Sequence, residues 1–186
     1  MERIILIETS TALCSAALAE DGAIVSYKES SAPKAHASLT AVFVQEMLSE
    51  RGLTISDCDA VCVTLDTLVA QAVAERLTVI PGLIGDLRFI IPMVDARRME
   101  VYTAVFESVI PSEAEGSLHY RQTTETSPMI IDENSFAEQL AEGPCLFIGD
   151  GAGKCADVIR HPNAHFCQCW PKASAMLAPA LAAYKE

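Results

Sequence analysis

Apolar positions along this chain fall into two rhythms. Short apolar or alternating runs predict strands: RIILIE from Arg3 to Glu8, two more on either side of Asp21-Gly22, and DAVCVT around Val61 and Val63. RFIIPMVD and EVYTAVF flank the polar Asp95-Ala96-Arg97-Arg98, and PCLFIGD runs into a glycine turn. Spacings of three and four predict a helix from Ala35 to a left-handed cap at Gly52. Pro128 to Glu142 passes from strand to helix, with Asp132 or Asn134 as its cap, and a last helix is one that Pro179 should kink or divide. A meander of strands followed by strands alternating with helices predicts an α/β protein, in two lobes of residues 1–95 and 96–186.

Two places depart from this pattern. The helix from Ala35 carries two apolar stripes, Leu39-Val42-Phe43-Met47 and Ala37-Ala41-Val44-Leu48, more than one sheet requires. In DCDAVCVTLDTLVAQAVAERL a strand runs into a helical pattern at Leu68, Ala72 and Leu77 with no Gly, Pro or Asn between them.

A hydrophobic content of 51% suits a globular core. The absence of a bilayer-length apolar stretch, with an N-terminus that starts a strand, sets the expectation of a cytoplasmic protein away from membranes. A net charge of −12 argues against a nucleic-acid groove, and Arg97-Arg98 is the only close basic cluster; RNA, if involved, would be held by another subunit. Seven cysteines in apolar segments read as reduced, inert thiols rather than disulfides or zinc ligands.

Candidate chemistry sits in a few turns. Glu8-Thr9-Ser10-Thr11 ends the first strand, where a carboxylate and hydroxyls could face a phosphate or a cation; on these residues alone a polar hairpin turn is the better reading. Gly149-Asp150-Gly151-Ala152-Gly153-Lys154 misses a Walker loop, having Ile148 and Cys155 where Gly and Ser or Thr are needed, and misses a dinucleotide fingerprint at Lys154. It could meet an anion or be a structural tight turn. His36 opens the long helix, but position 40 is Thr where a second helical ligand would stand, so no metal site is expected. No nucleophile motif is present, and Asp95, Arg97 and Arg98 read as a paired group between two apolar strands.

Three segments, ILIETSTALCSAAL, DARRMEVYTAVF and FIGDGAGKC, resemble the TsaB (YeaZ) family, in order and over nearly the whole chain. The resemblance implies a two-lobed actin-like, sugar-kinase-like ATPase (ASKHA, RNase H-like) fold with no catalytic residues of its own. It implies a scaffold or activator subunit of the bacterial tRNA threonylcarbamoyladenosine modification complex, binding a TsaD-like paralogue and, in a larger complex, a TsaE-like ATPase, and a homodimer when alone. tRNA would be met only through the complex. Glu8, Thr9 and Ser10 with Gly149, Asp150 and Gly151 would form a vestigial nucleotide cleft, and any ATP or ADP would sit at the complex interface. Leu39, Phe43, Val44 and Met47 would form the partner stripe. Against the family pattern, Val63-Thr64 is joined directly to Leu65-Asp66-Thr67-Leu68, so a loop, a helix and most of a strand are absent, about 30 residues or one β-α-β step. A seam between Thr64 and Leu65 is therefore expected. The alternative is an active ATPase or small-molecule kinase of the same fold, which needs a second phosphate loop and a catalytic Asp; a peptidase lacks any supporting motif, and a homodimeric scaffold outside tRNA modification is a further rival.

Overall fold

The computed structural model describes residues 1–32, 35–63, 87–109 and 119–185. The chain forms two compact units, one of Met1–Gln71 with Trp170–Glu186 and one of Ala72–Cys169.

In the first unit, β1 (Arg3–Glu8) pairs antiparallel with β2 (Cys14–Glu20), and β2 pairs antiparallel with β3 (Ala23–Ser30). The β2–β3 hairpin turns at Asp21 (φ 46°) and Gly22 (φ 80°), the left-handed pair that tight hairpins demand. Helix α1 (Ala35–Glu50) then leads to β4 (Ala60–Val63), which lies parallel to β1, so the sheet order is β3-β2-β1-β4. Gly52 takes φ 67° after α1 as its sequence position required. Ile5 and Leu18 pack with Val44 and Leu48 of α1 on one face. Ile4, Leu6, Ala17 and Ala19 pack on the other with Ala173, Met176 and Ala180 of the C-terminal segment. Each fully buried Ile, Leu or Met among them contributes roughly 1.5–3 kcal/mol, the alanines less. The C-terminal segment is divided as Pro179 suggested: a 3-10 turn at Ala173–Met176 precedes α4 (Leu177–Tyr184), placing Pro179 in the first helical turn, where no backbone N–H is required.

The second unit repeats the order. β5 (Phe89–Asp95) pairs antiparallel with β6 (Glu100–Thr103) and β7 (Phe106–Val109), two halves of one bent strand. These pair in turn with β9 (Ser127–Ile130) and β8 (His119–Gln122). After α2 (Ala137–Glu142), β10 (Cys145–Gly149) joins β5 in parallel; α3 (Ala152–Ala156) follows, and β11 (Ala164–Gln168) joins β10 in parallel. The core gathers Phe89, Ile91, Met93, Val101, Phe136 and Phe147, with Phe147 stacked 4.9 Å from Phe166.

Two expectations are corrected. The lobes do not meet at Asp95, because β5 is an interior strand of the second sheet and the last helix returns to the first unit, where the backbone N–H of Ala173 donates to Ser15 Oγ at 2.9 Å. Neither Asp132 nor Asn134 caps α2. Asp132 Oδ1 accepts from the Asn134 N–H and the Ser135 hydroxyl, building the preceding turn, and the N-cap is Phe136 at φ 62°. The expected seam between Thr64 and Leu65, and the helical pattern after it, lie outside the described residues.

Candidate functional site

Glu8 closes β1 and is buried, 1% exposed. Its Oε1 accepts the Ser10 N–H at 2.8 Å, folding the turn back on the carboxylate. Thr9 is half-buried, Ser10 is exposed, and the buried Thr11 hydroxyl meets no hydrogen-bond partner among the described residues. This is the polar turn the residues suggested, with its carboxylate engaged locally.

Gly149, Asp150 and Gly151 lie in the second unit, so each half of the expected cleft belongs to a different unit. At the carboxyl ends of β5 and β10 the glycine turn is stitched to its neighbours. Gly149 turns at φ 138°. The Gly151 N–H donates to Met93 O at 2.9 Å, and a side chain at Gly151 would lie 2.9 Å from Val101 Cγ1 and 3.1 Å from that same carbonyl. The Gly153 N–H donates to Gln168 Oε1 at 2.6 Å, while Gln168 Nε2 donates to Asp150 O at 2.8 Å. Asp150 Oδ1 accepts the Asp95 N–H at 2.9 Å. Lys154 donates to the Asp95 carboxylate and, at 2.8 Å, to Glu100 O. The donors that would cradle a phosphate, Gly151 N–H, Gly153 N–H and the Lys154 ammonium, therefore all have partners within the unit. The glycines serve close backbone approach and bind β5, β6, β10 and β11 together.

The two carboxyls there are shifted oppositely. The Lys154 hydrogen bond holds Asp95 below the ordinary carboxylate range, and burial pushes Asp150 above it. Sequence reading placed Asp95 in an ion-pair group but missed Lys154, 59 residues away, as its partner, and missed Gln168 as the residue that ties Asp150 O to the Gly153 N–H. Among the described residues Arg97 and Arg98 make no ion pair of contact length, and both are exposed on the β5–β6 turn.

Four residues of α1 were expected to form the partner stripe, and they divide. Met47 is 1% exposed and Val44 packs against Ile5 and Leu18, so both are spent inside their own unit. Leu39 and Phe43 are half-buried, and Val42 is 39% exposed. Thr40 lies within 3.3 Å of Cys14 Sγ, and the side chain of His36 lies outside the described residues. Burial raises the thiols of Cys58, Cys62 and Cys155 and pushes Cys145 up to about 12, which suppresses thiolate formation. Among the described residues no group of three or more His, Cys, Asp or Glu is placed to hold a metal ion, and no helix is long and apolar enough to cross a membrane.

Fold and site together define a mixed α/β protein of two units, each built on a sheet of the same strand order, with polar turns at strand ends. No protein-family model and no curated protein matches the chain. Two solved structures share its fold over the whole of this chain and 93% of theirs. One is YeaZ from Pseudomonas aeruginosa, at 20% identity and a TM-score of 0.71. The other is described as an uncharacterized protein with similarity to peptidase YeaZ from Pseudomonas aeruginosa, at 19% identity and a TM-score of 0.74.

Proposed function

We propose that this chain is a TsaB (YeaZ)-type subunit, a scaffold or activator without chemistry of its own in the tRNA threonylcarbamoyladenosine modification complex. The observation that carries the reading is the fold shared with YeaZ from end to end, to which the three resembling segments add. In this reading the two units are the lobes of an actin-like ATPase fold whose nucleotide cleft is vestigial. The engagement of Glu8, Gly151, Gly153 and Lys154 with neighbouring groups supports that part. A TsaD-like paralogue docks on the part of α1 that the first sheet leaves open, Leu39, Val42 and Phe43; a TsaE-like ATPase joins the larger complex, tRNA is met only through it, and the protein works in the cytoplasm. When alone the chain pairs with a second copy.

The test is complementation of a bacterial strain depleted of its TsaB, followed by mass spectrometry of nucleosides from its tRNA. Restored threonylcarbamoyladenosine is the expected result, with Phe43→Asp reducing it; expression of folded protein without any restoration rejects the reading. A seam between Thr64 and Leu65 belongs to the same proposal: about one β-α-β step of polypeptide lies between these two residues, because losing an interior strand of a sheet would expose its neighbours' edges. The first sheet stops at its fourth strand among the described residues, whereas the second sheet, of the same order, continues to a fifth. The intact mass of the purified protein decides this: a mass well above 20.0 kDa places further residues between Thr64 and Leu65, and a mass of 20.0 kDa removes the seam.

A further inference from the structure

The turn between β5 and β6 holds Arg97 (φ 75°) and Arg98 (φ 48°) consecutively in the left-handed region, which side chains other than glycine avoid. Such a pair persists only where its surroundings impose it, and this turn is pinned from several directions. The Arg97 N–H donates to Asp95 Oδ1 at 2.8 Å, the Glu100 N–H to Arg97 O at 3.1 Å, and the Ala96 N–H to Glu100 O at 3.1 Å. Lys154 reaches from α3 to the Asp95 carboxylate and to Glu100 O. Both arginines are exposed. Asp95 is the carboxylate on which Arg97 acts through space, and Lys154 already holds it. Arg3, Lys28, Arg51, Arg88 and Lys154 each lie within contact distance of a carboxylate; among the described residues Arg97 and Arg98 do not. On the strand that leaves the turn, Tyr102 is 50% exposed, although Val101 and Thr103 on either side of it are buried.

We infer that this turn is a contact for single-stranded RNA, with Arg97 and Arg98 on two backbone phosphates and Tyr102 stacked on a base. Guanidinium forks match phosphate oxygens bidentately, and an exposed aromatic ring beside them is the platform on which a base stacks. A pinned turn presents both cations without the ordering cost that a flexible loop incurs on binding. The net charge of −12 limits the contact, since the acidic chain offers no wide basic groove. Half-buried Glu100, and exposed Glu133 just past the Ile131 N–H that donates to Met99 O, are the local carboxylates it must outweigh. The contact is therefore weak in the isolated chain. The inference rests on the proposed function for the source of the RNA: the complex holds the tRNA, and this turn touches it locally.

Amide NMR of the full chain, titrated with a single-stranded RNA hexanucleotide up to about 1 mM, tests it without the paralogue. The expected result is shifts confined to the β5–β6 turn and Tyr102, with a slope of log affinity against log salt of about −1.4, the value for two phosphates on a single strand. Arg97→Gly with Arg98→Gly removes the binding and holds or raises the urea midpoint, because glycine adopts these φ values freely. Tyr102→Ser weakens binding about fivefold or more and leaves the salt slope unchanged. Absence of shifts at the highest concentration, shifts elsewhere in the chain, or binding unmoved by the two glycines overturns the inference. So does a lowered urea midpoint in the glycine variant, which makes the arginines structural. Equal binding of pyrophosphate makes the turn a free-phosphate site, and equal binding of hexaglutamate makes it a dock for an acidic protein; either overturns the RNA assignment. A chain that binds RNA here but fails complementation rejects the proposed function and leaves this contact standing.

Discussion

β4 and β10 hold the same place in two sheets of the same order, each parallel to the first strand of its unit and reached by a helix from the third. Their sequences, AVCV and CLFIG, are comparably apolar. Yet all of β10 is buried, whereas in β4 Ala60 and Cys62 are half-covered and Val61 and Val63 are 55% and 66% exposed. The difference lies in the surroundings. β10 has β11 on its outer edge and the helices α2 and α3 belong to its unit, while β4 ends its sheet among the described residues and α1 packs across β2 and β3. An apolar strand is not of itself a buried one; the elements beside it determine what its side chains contribute.

Substitutions in the two strands separate these environments. Phe147→Ala, which empties a position between Phe136 and Phe166, is expected to lower unfolding free energy by about 3–5 kcal/mol in urea titrations. A loss under about 1 kcal/mol would show that β10 is not the packed centre described here. Next in size is Gly151→Ala, whose new methyl meets Val101 and the Met93 carbonyl; overpacking of this kind costs about 1–3 kcal/mol, and an unchanged urea midpoint would mean that the turn has room to move.

The carboxyls beside β10 give a smaller, pH-dependent effect. Asp95 is depressed, so its pairing with Lys154 stabilises the fold above the ordinary carboxylate range and is lost as pH falls through the folded value; Asp150 is raised, so its contribution grows as pH falls. Lys154→Met should therefore remove a few tenths to about 1 kcal/mol at neutral pH and flatten the acid limb of melting temperature against pH. Asp150→Asn should raise stability at neutral pH, and a parallel, unshifted profile for either variant would contradict the assignment. Smallest of all, Val61→Thr with Val63→Thr should stay within roughly 0.5 kcal/mol per site, as exposed positions do. A measured cost above that range would mean this face of β4 is covered in the folded protein, and would make the two strands alike.

Local features of the fold were legible because their causes are local. Asp21-Gly22 demanded a left-handed hairpin, Gly52 a left-handed helix end, and Pro179 an interrupted last segment; each follows from steric limits on a few residues. The Glu8 turn was readable as a polar turn for the same reason. The unit boundary was not, because it depends on β5 accepting β10 and on Ser15 accepting Ala173 from 158 residues away. Nor could periodicity say which α1 stripe would be spent at home: Met47 and Leu48 fall in different stripes and both are buried.

The amino-acid sequence by itself determined most of the strands, though not β8 or β11, whose His119 and His165 stand in sequence that reads as loop, together with the turns, the acidic charge and the scarcity of basic groups, since these follow from backbone sterics, side-chain polarity and composition. Only the tertiary structure decided that the glycine turn's donors are taken by Met93 and Gln168, that Lys154 belongs to Asp95, and that two equally apolar strands differ in exposure. Burial and partnership are properties of what arrives from elsewhere in the chain, and distance along the sequence carries no record of that arrival.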